Sequence, residues 1–471
     1  MSAKMFRSAT LLLVLLLSTH FVKAQERNDS LPPVLELPQL YQWMALYHPV
    51  VQQLDLTLDM ADQGIRKAKG AFDPKLKALW DQKVFDEKDY YRYLEAGIEL
   101  PTRTGISVKG GYEQNQGIFL NPEANVPDEG LLNLGLIVPV GQGLFIDQRR
   151  ATLQQAQQYR LLSEVERQHL LNNLLLDAST AWLEWQLAYR NVEIWSEAVQ
   201  LASVRLQASL ESYRARNLAA VDTLEASLNY QDRLVGQQSA LLEYQQAALT
   251  LGNFLWVEEV PQPQLALNYR PSELADDILP EIMIDFEASL HPQFQVLRYE
   301  GEILEIERRW KAEQLKPQLD VQYNILQTPV GNPEGMVINP NNYKLGVNFS
   351  FPLFLRKERA GLAQTKIKQE MLEQKQDQKL LELENKRTQY LRQFQIYSEQ
   401  RQLYRNMTSQ YEMLLQAERS KFRAGNSSIF LLNSRELKLI DAQLKLLKAE
   451  TQVIKARVGL LWSEGRLWEQ L

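Results

Sequence analysis

The chain has 471 residues, 45% of them hydrophobic and 23% charged, with a formal net charge of -6 and no cysteine. The mildly acidic balance leaves no footprint for nucleic acid. The lack of cysteine excludes disulfides, thiolate metal sites, a thiol nucleophile and an acylated N-terminal cysteine.

Residues 1–24 read as a signal peptide: Lys4 and Arg7 precede an apolar stretch from Leu11 to Leu17, too short to span a bilayer, and Val22-Lys23-Ala24 offers a small-residue cleavage site before Gln25. Export is therefore expected, and loss of Lys4, Arg7 and Lys23 takes the formal charge from -6 to -9. A polar, helix-prone segment follows up to Pro74, where the period switches to two. Leu76, Ala78 and Trp80 then alternate with Lys75, Lys77 and Asp81. The same event recurs 243 positions later, where Pro317 precedes Leu319, Val321, Tyr323 and Ile325, alternating with Gln318, Asp320, Gln322 and Asn324.

Between Pro74 and Pro139, and again between Pro317 and Pro352, the alternating apolar sets are Leu76 to Trp80, Leu94 to Leu100, Ile106 to Tyr112, Leu132 to Val138, Leu319 to Ile325 and Tyr343 to Phe351. Each segment is about nine to eleven residues long, the span of a tilted transmembrane strand. A small sheet with one face on a soluble core fits alternation equally well. Export and the aromatic ends, Trp80, Tyr90, Tyr91, Tyr93, Tyr112, Tyr343 and Phe351, favour an outer-membrane barrel. Six strands cannot close a membrane barrel, so strands from other copies must complete it. The turn-rich stretches 117–130 and 328–342 would face outside the cell.

All 19 prolines lie outside residues 140–260 and 353–471, and each window holds four glycines. A proline inside a helix costs about 3 kcal/mol, so windows of this kind are what long helices require. Leu171, Leu175, Ala178, Trp182, Trp185, Tyr189, Val192, Ser196, Val199, Ser203 and Leu206 follow an average period of 3.5, a left-handed coiled-coil seam. A second ladder runs through Leu383, Tyr390, Phe394, Tyr397, Tyr404, Tyr411, Leu415 and Phe422, interrupted by Arg387, Arg401, Thr408 and Glu418.

Each window breaks once. "YRARNLAAVDTLEA", 213–226, and "FRAGNSSIFLLNSR", 422–435, align at an offset of 209, matching Tyr213 with Phe422, Arg214 with Arg423 and Asn217 with Asn426. Gly425 suits a helix C-cap, and Ser427 or Ser428 the next N-cap. In the first tip Arg216 stands where the second has Gly425, and Asn217 is the expected left-handed residue there. Each window is thus a helix, a tight turn and a returning helix. Stripes of that length need partners from other copies, a solitary soluble rod being the alternative.

The order of these features, repeated twice, resembles the TolC-like outer-membrane efflux proteins. The matching residues are His48-Pro49 and His291-Pro292, Pro74 and Pro317 before strands, "LIVPVGQGLF" and "FSFPLFLRKE" around Pro139 and Pro352, and the two tips. The resemblance implies an α+β membrane protein. Long α-helical hairpins form a trimeric periplasmic α-barrel, continued by a trimeric transmembrane antiparallel β-barrel, and two internal repeats make up the chain. The first repeat would cover 25–256, with strands at about 75–140 and a hairpin at 143–256. A linker at 257–290 precedes the second, 291–471, with strands at about 318–352 and a hairpin at 355–462. It further implies a homotrimer in outer-membrane lipid that docks on a periplasmic adaptor and an inner-membrane RND- or ABC-type transporter, as the passive exit duct of an efflux or type I secretion system. A periplasmic coiled-coil adaptor or scaffold without a channel is the other reading. The first half offers four strands where the family minimum is two. The additional hairpin either enlarges the barrel from twelve to eighteen strands or sits outside the membrane.

Candidate gate and docking residues are Tyr213, Arg214, Arg216, Asn217, Asp222, Phe422, Arg423, Gly425 and Asn426. Three copies of Asp222 would make an acidic ring favouring cations; equally, Asp222 is a helix N-terminal acid that complements the dipole. Arg214, Arg216 and Arg423 would restrain the tip through ion pairs or meet the adaptor, or be solvated surface charges. His48 and His291, each before proline at a helix start, read as caps and not as metal ligands. No cofactor is expected, and no Gly-rich phosphate loop, H-E-x-x-H or G-x-S-x-G motif points to an enzyme.

Overall fold

The computed structural model describes residues 33–258, 260–273, 286–329 and 339–471. The expected signal peptide and parts of the 257–290 linker and the 328–342 loop lie outside them. Seven α-helices carry most of the described chain: α1 (Leu37–Tyr47), α2 (Pro49–Lys69), α3 (Gln148–Arg214), α4 (Ala220–Gly252), α5 (Pro292–Glu313), α6 (Arg356–Arg423) and α7 (Ile429–Ser463). At 1.5 Å per residue, the 67 residues of α3 and 68 of α6 each run about 100 Å. Among the described residues no helix is long and apolar enough to cross a membrane.

Six strands, β1 (Lys75–Phe85), β2 (Lys88–Pro101), β3 (Ser107–Gln116), β4 (Leu131–Pro139), β5 (Gln318–Gln327) and β6 (Tyr343–Ser350), form one antiparallel sheet in sequence order. The hairpin of β2 and β3, whose place the sequence left open, is a continuous part of that sheet. β1 and β6 are its free edges. Asp86 and Glu87 both take positive φ between β1 and β2, as a two-residue hairpin turn requires.

Helix neighbours change along the length. Near the sheet, α2 packs on α3, α3 on α5 and α5 on α6; further away the order is α4, α3, α7, α6. The core lies where the two sets meet. Leu175, Trp182 and Trp185 of α3 pack there with Leu37, Leu40 and Met44 of α1, Leu251 of α4, and Ile454 and Val458 of α7. Ala266 joins this core, and Arg270–Pro271 pair in parallel with Val34–Leu35. Burying an apolar side chain of this size is worth ~1.5–3 kcal/mol, so this girdle anchors both hairpins.

The expected seam of α3 holds from Leu171 to Trp185 and then shifts. Toward the tip the buried positions are Ala198, Ala202 and Ser209, whereas Val199, Ser203 and Leu206 are only half-buried. Small residues let the helices approach closely where nothing bulky fills the gap. On α6, Leu383 and Leu415 are buried and the ladder's aromatics half-buried. Two of its polar interruptions, Thr408 and Glu418, are buried as well.

Candidate functional site

The sheet is amphipathic across its whole width. One row of paired residues runs Leu76, Ile98, Gly110, Leu134, Ile325, Tyr343 over all six strands. The row beside it, on the opposite face, runs Lys75, Glu99, Lys109, Gly135, Asn324, Lys344. Residues that should shun water are bare on the single chain: Leu76 is 82% exposed, Phe349 68%, and Trp80 and Val347 59% each. The polar face carries its own cross-strand ion pair, Lys77 Nζ to Glu99 Oε2 at 2.7 Å.

Aromatic residues mark both ends of the sheet. Tyr90 contacts Phe85 and Phe119 with ring centroids 6.0 and 4.7 Å apart, beside the β1–β2 turn. At the helix-side end Phe145 and Phe354, 209 positions apart, are 73% and 70% exposed. Each is approached by a cation: Lys316 lies 4.4 Å and Arg356 5.1 Å from the respective ring centroid. Apolar bands bounded by two aromatic girdles are the surface pattern of membrane barrels.

The strand-flanking prolines sit at the junction of sheet and helices. Pro74 and Pro317 each directly precede a strand, Pro139 ends β4, and Pro352 follows β6. Pro139 pairs with Asp320, the Val140 N–H donates to the Leu319 carbonyl, and the Gln142 N–H donates to the Pro317 carbonyl, both at 2.8 Å. Gly141 makes this approach possible, since a Cβ there would lie 2.1 Å from the Pro317 oxygen.

At the tips both first helices end in the same Schellman turn. The Asn217 N–H donates to the Ser212 carbonyl and the Arg216 N–H to the Tyr213 carbonyl, each at 2.9 Å. In the second tip Asn426 donates to Lys421 at 2.9 Å and Gly425 to Phe422 at 3.0 Å. The left-handed residue is Arg216, at φ 63°, and not Asn217; it occupies the place of Gly425, at φ 73°. The motif fixes which position must be left-handed, so the arginine bears a strain that glycine avoids. Ser428, and not Ser427, caps α7 by accepting from the Leu431 N–H at 3.3 Å, while Ser427 Oγ donates to Glu418 Oε1 at 2.5 Å. Asp222 is the third residue of α4 and half-buried, where a carboxylate favours the helix dipole.

Among the described residues of the single chain Arg214, Arg216 and Arg423 form no ion pair. The ion pairs that join the helices within the chain lie one to four turns back. Glu436 of α7, 4% exposed, accepts from both Nη atoms of Arg205 on α3 at 2.8 and 2.5 Å, from Arg233 of α4 at 3.4 Å and from Arg419 of α6 at 3.3 Å. Arg205 also donates to Asn433 Oδ1 at 2.6 Å. Burial works to raise the Glu436 pKa, but the hydrogen bond and charge of Arg205, with the charges of Arg233, hold it below the usual carboxylate range. One carboxylate thus ties all four helices of the distal section. The seam pattern hides it, because glutamate and arginine at such spacing read as solvated charges.

His48 and His291 are N-caps, each accepting through Nδ1 from the N–H of the second residue of its helix, Val50 at 3.3 Å and Gln293 at 3.0 Å. The other ring nitrogen of His291 faces the Trp462 carbonyl at 3.3 Å, at the end of α7. His48 is bonded to the Asn253 backbone, at the end of α4. Burial lowers both pKa values, that of His291 to about 4, so both rings are neutral. Asn172 completes the junction: its Nδ2 donates to the Trp462 carbonyl at 2.9 Å and its Oδ1 accepts from Leu467 N–H at 2.9 Å.

The outer helices of the distal section present bare apolar stripes. Val221, Leu228, Val235, Leu242 and Leu249 recur every seven residues on α4, and Ile396, Leu403, Met407 and Leu414 lie along α6; all are exposed.

An amphipathic sheet continued by two long hairpins defines the fold of outer-membrane efflux channels. The chain is similar to VceC from Vibrio cholerae (TM-score 0.63, 13% identity, 91% of this chain and 96% of that one). It is similar to the CmeC outer membrane channel of Campylobacter jejuni (0.67, 11%, 91% and 85%) and to the open state of the MtrE outer membrane channel of Neisseria gonorrhoeae (0.58, 13%, 91% and 88%). No curated protein matches the sequence. Residues 291–465 match the outer membrane efflux protein family.

Proposed function

We propose that the protein is the outer-membrane duct of an efflux or type I secretion system, a passive homotrimeric channel energised by an inner-membrane pump through a periplasmic adaptor. The observation that carries this reading is the sheet, with one apolar face six strands wide, a polar face behind it and two unpaired edges. A bilayer accepts a sheet only when every backbone group is paired, so the edges must meet other copies and close a barrel. Lipid then covers Leu76, Trp80, Leu345, Val347 and Phe349, and the row of Glu99, Lys109 and Lys344 lines water.

The helices support the same closure. The bare heptad stripe of α4 and the stripe of α6 lie on opposite ends of the order α4, α3, α7, α6, so α4 of one copy can seat on α6 of the next and continue the ring. The two halves act as repeats in this ring, each giving a sheet-side helix, strands and a hairpin. The tips form the periplasmic end, where Asp222 narrows the passage and the tip arginines meet the adaptor.

Fractionation and channel recording test the proposal. The mature chain is expected in outer membranes as a trimer band that heating converts to monomer, and to conduct in planar bilayers. A mature chain that stays dissolved as a single subunit without detergent would overturn it.

A further inference from the structure

The family pattern asks for four strands per chain, whereas this sheet has six. We propose, resting on the duct reading, that all six lie in the membrane wall, so that three copies of the six-stranded sheet close an eighteen-stranded barrel. Three observations lead there.

The first is pairing. β2 and β3 are interior strands: β2 pairs with β1 over Lys75–Phe85, with β3 from Arg92 to Pro101, and β3 with β4 from Ser107 to Glu113. Lifting this hairpin out of the wall strips both β1 and β4 of partners inside lipid, which backbone N–H and C=O groups do not tolerate. The second is the faces. Ile98 and Gly110 continue the apolar row, and Glu99 and Lys109 the polar one, without a change of side at either junction. A hairpin lying in water has no reason to keep that register with its lipid-facing neighbours.

The third is perimeter. At each level a chain contributes four helices to the ring, α2, α3, α5, α6 near the sheet and α4, α3, α7, α6 further away. Three chains at 8–10 Å between axes give a ring about 100–120 Å around. Strands about 4.8 Å apart and tilted about 40° occupy roughly 6 Å of perimeter each. Eighteen of them need about 110 Å and twelve only about 75 Å. The larger barrel meets the helical ring without a step, and the order of the helix connections supports it: α2 leads into β1, β4 into α3, α5 into β5 and β6 into α6, in the same sequence around both layers.

The cysteine-free chain allows a direct test with single nitroxide labels in lipid vesicles, comparing collision with oxygen and with a water-soluble nickel chelate. Ile98→Cys and Glu99→Cys report on β2, Leu134→Cys and Asn133→Cys on β4. The expected result is oxygen preference at 98 and 134 and nickel preference at 99 and 133, with opposite-face ratios several-fold apart. Nickel access at both 98 and 99, with 134 protected, overturns the eighteen-stranded wall and leaves the duct intact. Nickel access at 134 as well removes the duct reading itself. If Ile98→Cys does not assemble, Leu94→Cys reads the same face of the same strand.

Discussion

The Glu436 carboxylate on α7 accepts two hydrogen bonds from Arg205 on α3, at 2.8 and 2.5 Å, and so joins the two hairpins of the chain in their distal section. Arg233, 1% exposed, depends on the same carboxylate. Removing one partner of a buried pair costs about 3–5 kcal/mol, because the other charge is left uncompensated. Glu436→Gln is expected to loosen the tips by an amount of that order, read as faster amide exchange in the tip-side halves of α4 and α7, with the girdle at Trp182 unchanged. The depressed Glu436 pKa gives a matching pH effect: its contribution is complete above the unfolded carboxylate value and is lost as pH falls through the folded one.

Left-handed backbone costs a non-glycine residue about 1–2 kcal/mol. Arg216→Gly is therefore expected to stabilise the first tip by about 1 kcal/mol, and Gly425→Ala to destabilise the second by a similar amount. A Cβ at Gly425 meets nothing within 4 Å, so backbone strain alone is measured. Local exchange at Asn217 and Asn426 reports each change.

His291 has its pKa lowered to about 4 by burial, opposed by its bond to the Trp462 backbone. The unfolded ring protonates near 6.5, so stability is full above that pH and declines as pH falls from about 6.5 to 4, by about 3 kcal/mol in all. His291→Asn, which keeps a cap acceptor, is expected to flatten the melting temperature across this window. An unchanged slope would shift the effect to His48.

Asp222→Asn is expected to lower cation preference in single-channel recordings while leaving assembly intact. Unchanged selectivity would reduce Asp222 to a helix-start carboxylate worth ~0.3–1 kcal/mol.

Gly141→Ala places a Cβ against the backbone oxygen of Pro317, which cannot move without breaking the β4–β5 ladder. The expected outcome is loss of the heat-modifiable trimer.

Periodicity alone made the strands and hairpins legible. Alternation after Pro74 and Pro317 marked where helix gives way to strand, and proline-free windows marked helices too long for one compact domain. The tips were legible as paired turns, because Gly425 and the shared Arg-Ala spacing are local chemistry. What local pattern does not hold is which distant residues meet. The hydrogen-bond register of the Schellman turn, and not side-chain preference, put the left-handed strain on Arg216. Convergence of four helices turned Glu436, Arg205, Arg233 and Arg419 from ordinary helix charges into one clasp around a buried carboxylate. Pairing of β2 with β1 and of β3 with β4 placed the additional hairpin inside the sheet. A sequence fixes period and face through the backbone's own repeat, but partners across hundreds of residues are chosen by packing, which only the folded chain supplies.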